Sequence, residues 1–213
     1  MFLIGPILDK KDFSMLKGRV FMKEIKDFDK VYKYYDKFMA IFKLYKFKDI
    51  ENAANIDEHE VVVDIGGGTG CLAQHICNSC KTVYVLDESE KMLSKVKQTK
   101  NVIVIRGNAL NTPFESNSID IVILSDVFHH IKEQKELIVE ISRILKVNGK
   151  VVIMDFHRKH IRTRLLRVFE FILFGRLFFR TKDEVKVLLE KHFHINKFYD
   201  KGYYFIFVGE KIC

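Results

Sequence analysis

A glycine-rich loop directly follows an apolar run, and its residue types are the ones in this sequence best suited to binding a ligand. Residues 61–65 are Val and Ile interrupted only by Asp64, and four of the next five residues are glycine. Continuous Val and Ile favour a parallel strand that is covered on both faces. Glycine permits the positive φ and the close backbone approach that a bound ligand requires. A helix pattern follows, so the loop N–H groups should face a ligand above the strand. The pattern indicates a nucleotide-like cofactor.

Two classes of cofactor fit this loop. A dinucleotide fingerprint requires Gly-x-Gly-x-x-Gly, with an acid about 20 residues further on to bind the ribose. Gly66 and Gly68 match it, whereas Cys71 occupies the position of the third glycine. Asp87 follows a second apolar run and supplies the ribose-binding acid for either class. A nicotinamide oxidoreductase therefore stays open at this point, although Cys71 disfavours it.

The elements that must position these residues follow in a regular order along the chain. Apolar runs predict strands, and segments with helical periodicity lie between most of them. The predicted strands are residues 61–65, 82–86, 102–105, 118–124, 151–156, 195–199 and 203–208. The last two are joined by a short connection, which predicts an antiparallel hairpin. Before them, Thr181 and Glu184 have the spacing of a helix capping box.

In this order the motifs resemble the class I S-adenosylmethionine-dependent methyltransferases, and most of all the small-molecule branch that includes the ubiquinone and menaquinone C-methyltransferases. The resemblance covers residues 28–156 well and residues 181–210 more loosely. It implies an α/β fold: a Rossmann-like three-layer sandwich around a mixed seven-stranded sheet with one antiparallel strand. It also implies S-adenosyl-L-methionine as the cofactor. An acceptor oxygen, carbon or nitrogen would take the methyl group and leave S-adenosylhomocysteine.

The resemblance implies cofactor contacts for a defined set of residues. Asp64 would help to hold the loop and the methionine end of the cofactor, and Asp87 would accept hydrogen bonds from both ribose hydroxyls. Asn108 stands where this branch has Asp, and its carbonyl oxygen can accept a hydrogen bond from the adenine amino group. Ser125 and Asp126 would lie beside the sulfonium and the mouth of the acceptor pocket. The implied cofactor set is Asp64, Gly66, Gly68, Gly70, Asp87, Glu88, Met92, Asn108, Ala109 and Ser125.

The sequence does not assign a catalytic residue. His130, in a His-His pair just beyond the fourth strand, is the main candidate for proton transfer, because histidine is the usual base near neutral pH, and His129 is a lesser one. A packing role fits the same pair. Methyl transfer can proceed without a base, since the sulfonium is already activated and in-line positioning supplies much of the acceleration. Cys77 and Cys80 form a Cys-x-x-Cys without a second pair, so no metal site is expected.

The flanking segments predict how the domain is organised. Residues 1–50 are predicted to form an N-terminal arm and a helical lid, and residues 51–213 the cofactor-binding domain. Within the lid, Tyr35-Asp36 resembles a pair in the first helix of the quinone methyltransferases, which covers the cofactor there. An amphipathic helix that simply packs on the domain fits the same residues.

A basic and apolar segment, residues 157–180, is predicted to form a cap inserted in this domain. Such a segment suits a membrane interface, with arginines at anionic headgroups and phenylalanines below them. Together with the net charge of +8, it favours a small or lipid-like acceptor, such as a lipid or a prenylated quinone, and peripheral membrane contact. An ordinary pocket cap explains the segment as well, and a basic patch that binds RNA is a third interpretation.

Composition restricts the other classes of function. A chain of 213 residues with 48% hydrophobic content suits one globular domain, and no stretch reaches the roughly 18 apolar residues of a membrane span. Four cysteines without a secretory signal predict reduced thiols in the cytoplasm, with the membrane surface as a second location.

Two further functions stay open on the sequence. The first is an RNA methyltransferase, and the second is a non-catalytic protein that binds S-adenosylmethionine and regulates a partner. Nucleic acid is disfavoured because no RNA-binding module is appended. Ser-Asp-Val-Phe also stands after the fourth strand, where base-methylating enzymes tend to have Asp/Asn-Pro-Pro-aromatic.

Overall fold

The computed structural model of this protein describes residue 33, residues 35–41 and residues 44–212. The strands are β1 (Val61–Ile65), β2 (Thr82–Asp87), β3 (Val102–Arg106), β4 (Ile119–Ser125), β5 (Leu145–Phe156), β6 (Phe193–Asp200) and β7 (Tyr204–Lys211). The helices are α1 (Tyr35–Ile41), α2 (Phe47–Ala54), α3 (Cys71–Ile76), α4 (Glu90–Leu93), α5 (Gln134–Ile144), α6 (Ile161–Phe174) and α7 (Lys182–Leu189). A 3-10 turn, Phe128–His130, follows β4. The predicted N-terminal arm and the first part of the predicted lid, residues 1–32, lie outside the described residues.

Across the described residues, the seven strands form one sheet in the order β3-β2-β1-β4-β5-β7-β6. Neighbouring strands from β3 to β5 pair in parallel. Strand β7 runs antiparallel to both β5 and β6, so it is the one reversed strand of the sheet. The predicted α/β fold with a mixed seven-stranded sheet is confirmed.

The strand order reverses at β1, which pairs with β2 on one side and with β4 on the other. In open parallel sheets a crevice forms at the carboxyl ends of the strands where the order reverses, and ligands bind there. The glycine loop follows β1, Asp87 ends β2 and Ser125 ends β4. The topology therefore brings the predicted site residues to one edge of the sheet.

Two apolar layers cover the sheet and explain the continuous Val run of β1. Val62 packs in the layer that includes Ile50 of α2, and Val63 packs in the opposite layer with Leu137 of α5. Both valines are fully buried. Successive residues of a strand point to opposite faces, so a strand buried on both faces needs apolar residues at every position.

Two helices begin with side-chain capping bonds, and the sequence predicts the one at α7. The Met92 N–H donates to Ser89 Oγ (3.1 Å) at the start of α4. At α7 the Glu184 N–H donates to Thr181 Oγ1 (3.3 Å), and the Thr181 N–H donates to Glu184 Oε2 (2.7 Å). The predicted capping box is confirmed, and α4 is a single turn of four residues.

The fifth strand begins earlier than the sequence predicts. Leu145 already pairs with Ile119, and the register then shifts before regular pairing resumes. Residues 146–149, which precede the predicted strand, are therefore an irregularity inside β5. Lys146 Nζ donates to Asp120 Oδ1 (2.7 Å), which fixes this segment against β4.

Candidate active site

A cavity of about 310 Å³ opens at the carboxyl edge of the sheet. The glycine loop, the end of β2, the start of α4 and the segment after β4 form its walls. Six residues of the predicted cofactor set line it: Gly66, Gly68, Asp87, Glu88, Met92 and Ala109. Asp126 and His130, the predicted neighbour of the sulfonium and the candidate base, line the same cavity. Sequence reasoning missed the contributions of Val127 and Ile131 to this wall.

The remaining members of the predicted set do not line the cavity. Asp64 is buried, Gly70 begins α3 with a φ of 75°, and Ser125 is half-buried at the end of β4. Asn108 is exposed, and its Oδ1 accepts a hydrogen bond from the Leu110 N–H (2.7 Å). The Asn108 oxygen thus closes a local turn. Its contact with adenine stays a prediction.

Two backbone N–H groups hold the carboxylate of Asp87 at the cavity. The Gly68 N–H donates to Oδ2 (2.9 Å), and the Ser89 N–H donates to Oδ1 (2.8 Å). Burial raises the pKa of Asp87, and these two hydrogen bonds oppose the rise. Each oxygen keeps a second lone pair. The side chain is therefore fixed and can accept two more hydrogen bonds from a ligand.

Asp64 carries a buried carboxyl group beneath the glycine loop. Its side chain is only 2% exposed. Oδ2 has no hydrogen-bond partner among the residues that the structure describes. Burial and then the charge of Asp87 raise the pKa of Asp64 to about 8. Because a buried unpaired carboxylate is costly, a cationic ligand group beside it would stabilise its ionised form.

Gly66 and Gly68 in the glycine loop both have positive φ (69° and 53°), so alanine substitutions at the two positions can be compared directly. A Cβ at Gly66 would lie 2.3 Å from Val127 Cγ2, whereas a Cβ at Gly68 would meet no atom within 4 Å. A left-handed residue other than glycine costs about 1–2 kcal/mol, and overpacking adds about 1–3 kcal/mol.

We expect Gly66→Ala to lower the free energy of unfolding by about 2–5 kcal/mol and Gly68→Ala by about 1–2 kcal/mol. Urea unfolding of both variants measures the difference. The Gly68→Ala protein should fold but bind cofactor more weakly, because its new methyl group would occupy the cavity. Equal destabilisation by the two substitutions would contradict the close approach of Gly66 to Val127.

A buried cluster of titratable side chains adjoins the cavity. His129 is fully buried, and its Nδ1 lies 2.7 Å from Asp155 Oδ1. Glu170 Oε2 lies 3.4 Å from His129 Nε2, and Asp126 Oδ1 lies 4.0 Å from Nδ1. Burial lowers the pKa of His129, but the charge and hydrogen bond of Asp155 and the nearby Glu170 outweigh burial and raise it well above its ordinary value.

The sequence assigns no role to Asp155 or Glu170, although each leaves a signal. Asp155 interrupts the apolar run of β5, and Glu170 interrupts the apolar half of α6. Both side chains are at least nine-tenths buried. An acid within an apolar run is either costly or paired, so this interruption is the sequence signal that marks both positions.

Helix α1 covers the cavity from the N-terminal side. Tyr35 lines the cavity, and Asp36 ties the helix to the domain. Asp36 Oδ1 accepts hydrogen bonds from Thr69 Oγ1 (2.6 Å), in the glycine loop, and from the hydroxyl of Tyr45 (2.7 Å). Asp36 therefore links helix α1 directly to the glycine loop.

The fold and this site define a class I S-adenosylmethionine-dependent methyltransferase. A sheet of this order with a glycine loop after β1 and an acid at the end of β2 is the arrangement that the resemblance implies. A family model described as a methyltransferase domain matches residues 63–153.

More particularly, the chain belongs to the methyltransferase family that contains the demethylmenaquinone methyltransferases. It is 30% identical over 182 residues to the demethylmenaquinone methyltransferase of Geobacillus sp. (strain WCH70), which covers 76% of this chain and 77% of the relative. Enzymes of this family take their methyl group from S-adenosylmethionine.

Solved structures share the fold at lower identity. A putative methyltransferase solved in complex with the Trm112 methyltransferase activator of Haloferax volcanii superposes with a TM-score of 0.78 at 16% identity, covering 90% of this chain and 100% of that one. A possible histamine N-methyltransferase from Thermotoga maritima superposes with a TM-score of 0.72 at 18% identity, covering 87% and 98%. These likenesses support the architecture alone.

Proposed function

We propose that the cavity binds S-adenosylmethionine and that the enzyme methylates a small lipophilic acceptor of the quinol class. The observation that carries the proposal is the Asp87 carboxylate, held by two backbone N–H groups in the same cavity that Asp126 and His130 line. Such a carboxylate suits a ribose diol, and the other two residues give that cavity a polar wall for an acceptor.

The residues present fit this cofactor at both ends. Asp87 would accept from the two ribose hydroxyls, while Gly68 leaves open space beside them. Asp64, whose Oδ2 lacks a hydrogen-bond partner within the described part of the chain, would take the cofactor's ammonium group. The bound cofactor supplies a methyl group that its sulfonium has already activated.

The protein's own task at the acceptor is to orient it and to exclude water. Val127 and Ile131 offer apolar contacts for a ring, and Asp126 and His130 offer polar ones for its hydroxyl or carbonyl groups. Tyr35 covers the cavity from α1. We propose no catalytic base, because in-line positioning supplies much of the acceleration. The name of the Geobacillus relative supports a quinol acceptor.

Helix α6 offers a route for a membrane-borne acceptor. Thr163, Leu166 and Glu170 are buried on one face of α6. Phe171 is 62% exposed and shares a face with exposed Arg164, seven residues before it. An exposed phenylalanine beside an arginine suits an anionic membrane surface. No described helix is long and apolar enough to cross a membrane, so the contact we propose is peripheral.

One assay tests the acceptor and the membrane contact together. Labelled methyl transfer from S-adenosylmethionine is measured to a demethylated prenylated naphthoquinol in anionic vesicles, to a water-soluble short-chain analogue, and to RNA. We expect product from both quinols. Phe171→Ser should lower turnover on the vesicle-borne quinol by about 10–100-fold, since burying a phenylalanine is worth about 1.5–3 kcal/mol. It should leave turnover on the soluble analogue unaffected.

The matched control is Val187→Ser on α7, since Val187 is 60% exposed and lies outside the residues that line the cavity. Equal loss of turnover in Phe171→Ser and Val187→Ser would contradict a specific membrane contact by α6. Label in RNA alone would favour the RNA methyltransferase alternative. Cofactor binding without transfer to any acceptor would favour the regulatory alternative.

A further inference from the structure

The buried cluster beside the cavity holds three potential metal ligands at close range. His129 Nε2 or Nδ1, one ring nitrogen of His130 and a carboxylate oxygen of Glu170 lie within 4.8 Å of one another, and all three side chains are buried. Two imidazoles and one carboxylate are a common ligand set for divalent transition metals.

The surroundings of His129 select which of its nitrogens faces the cluster. Its Nδ1 lies 2.7 Å from Asp155 Oδ1, so an Nδ1–H would donate to that carboxylate and leave Nε2 to face Glu170. A carboxylate behind a histidine in this way is the usual second partner of a metal-ligating imidazole. Asp155 therefore presents His129 as a ligand through Nε2.

Two atoms that point at one another in this cluster lack other partners. His129 Nε2 and Glu170 Oε2 are 3.4 Å apart. Neither has a hydrogen-bond partner among the residues described by the structure, although the histidine side chain is 0% and the glutamate 5% exposed. Two ligand atoms about 2.0–2.1 Å from one tetrahedral ion are separated by roughly 3.4 Å. The observed gap has the width that a shared ion requires.

The cluster also places acidic neighbours around the proposed ion. Asp155 and Glu170 are buried acids on either side of His129, and Asp126 lies further away, 4.0 Å from Nδ1. A buried carboxylate is tolerated only when it is compensated, and a divalent ion beside Glu170 would compensate it.

We propose that His129, His130 and Glu170 bind a divalent transition-metal ion, with Asp155 as a positioning residue for His129. Because His130 also lines the cavity, the ion would lie at its polar wall, and a fourth coordination position would be open to water or to an acceptor oxygen. The simpler arrangement is a metal-free His129 imidazolium between Asp155 and Glu170, and the experiment separates the two.

The test titrates zinc into the full, untagged protein after treatment with a chelator, using a chromophoric chelator as the competitor. We expect one equivalent to bind, and Glu170→Gln to weaken binding by at least about 100-fold, since even a second-layer partner is worth about 10–100-fold. Asp155→Asn should weaken it about 10–100-fold. Glu51→Gln, which disrupts a half-exposed pair with His75 (3.0 Å), is the control and should change nothing.

Cobalt distinguishes this site from the thiols of Cys77 and Cys80. A cobalt-loaded protein should show ligand-field bands without a sulfur-to-cobalt charge-transfer band. If the intact, folded protein does not bind zinc more tightly than millimolar, the site is an imidazolium network and the proposal is wrong. Binding that survives Glu170→Gln and disappears in Cys77→Ser would overturn it as well. Neither result depends on turnover, so both leave the proposed acceptor untouched.

Discussion

Asp87→Ala is expected to weaken the binding of S-adenosylmethionine by at least about 100-fold. Hydrogen bonds to a charged group are worth about 1.5–3 kcal/mol each, and the substitution removes the acceptor of two ribose hydroxyls. A loss of about 3 kcal/mol corresponds to roughly 100-fold in the dissociation constant. Calorimetric titration of S-adenosylmethionine and S-adenosylhomocysteine into the intact and variant proteins measures it.

The control for this prediction is Glu90→Ala, at the start of α4. Glu90 is exposed, pairs with Arg106 (3.0 Å) and is not among the residues that line the cavity. Its removal should leave cofactor affinity unchanged. Tight binding that survives Asp87→Ala would contradict the proposed ribose site, and binding of a nicotinamide nucleotide in place of S-adenosylmethionine would contradict the proposed cofactor.

Asp64→Asn is expected to stabilise the cofactor-free protein and to weaken cofactor binding. The buried carboxyl group has a pKa of about 8 in the folded protein, against 3.8 for the reference value. Between these values the folded state holds a proton that the unfolded chain has released. Stability therefore falls as pH rises through this window, and the full penalty is present above pH 8.

The asparagine variant has no proton to lose, so its advantage should grow with pH. We expect almost no difference below pH 4 and a gain of up to about 6 kcal/mol above pH 8, at about 1.4 kcal/mol per unit of pKa difference. Urea unfolding at pH 4, 6.5 and 8.5 without cofactor measures this gain. With saturating S-adenosylmethionine the intact protein should be more stable than Asp64→Asn, because only the carboxylate can pair with the ammonium group of the cofactor.

Asp200→Asn provides a control of opposite sign. Hydrogen bonds from Lys182 and from the Gly202 N–H lower the pKa of Asp200 to about 2. Its contribution to stability is present above pH 4 and is lost as pH falls towards 2, so the asparagine variant should be destabilised at neutral pH. A gain for Asp64→Asn that does not change between pH 4 and 8.5 would show that the carboxyl is not protonated in the folded protein.

Much of the fold could be predicted because its determinants are local. The Val and Ile run of β1, the glycines after it and the capping box of Thr181 and Glu184 each depend on residues close together in the chain. The order of these elements matches one known architecture, so the sheet and the family could be predicted. The start of β5 could not be predicted, because Leu145 joins the strand only through its pairing with Ile119.

The sequence by itself determined the class of enzyme and the part of the cavity formed by Gly66, Gly68 and Asp87, because a strand followed by a glycine loop specifies its own geometry. Only the tertiary structure decided that Asp155 of β5 and Glu170 of α6 lie on either side of His129. The reason is physical. Periodicity shows which face of a helix is buried. It does not show which side chain Glu170 contacts, because that depends on how α6 packs on the sheet.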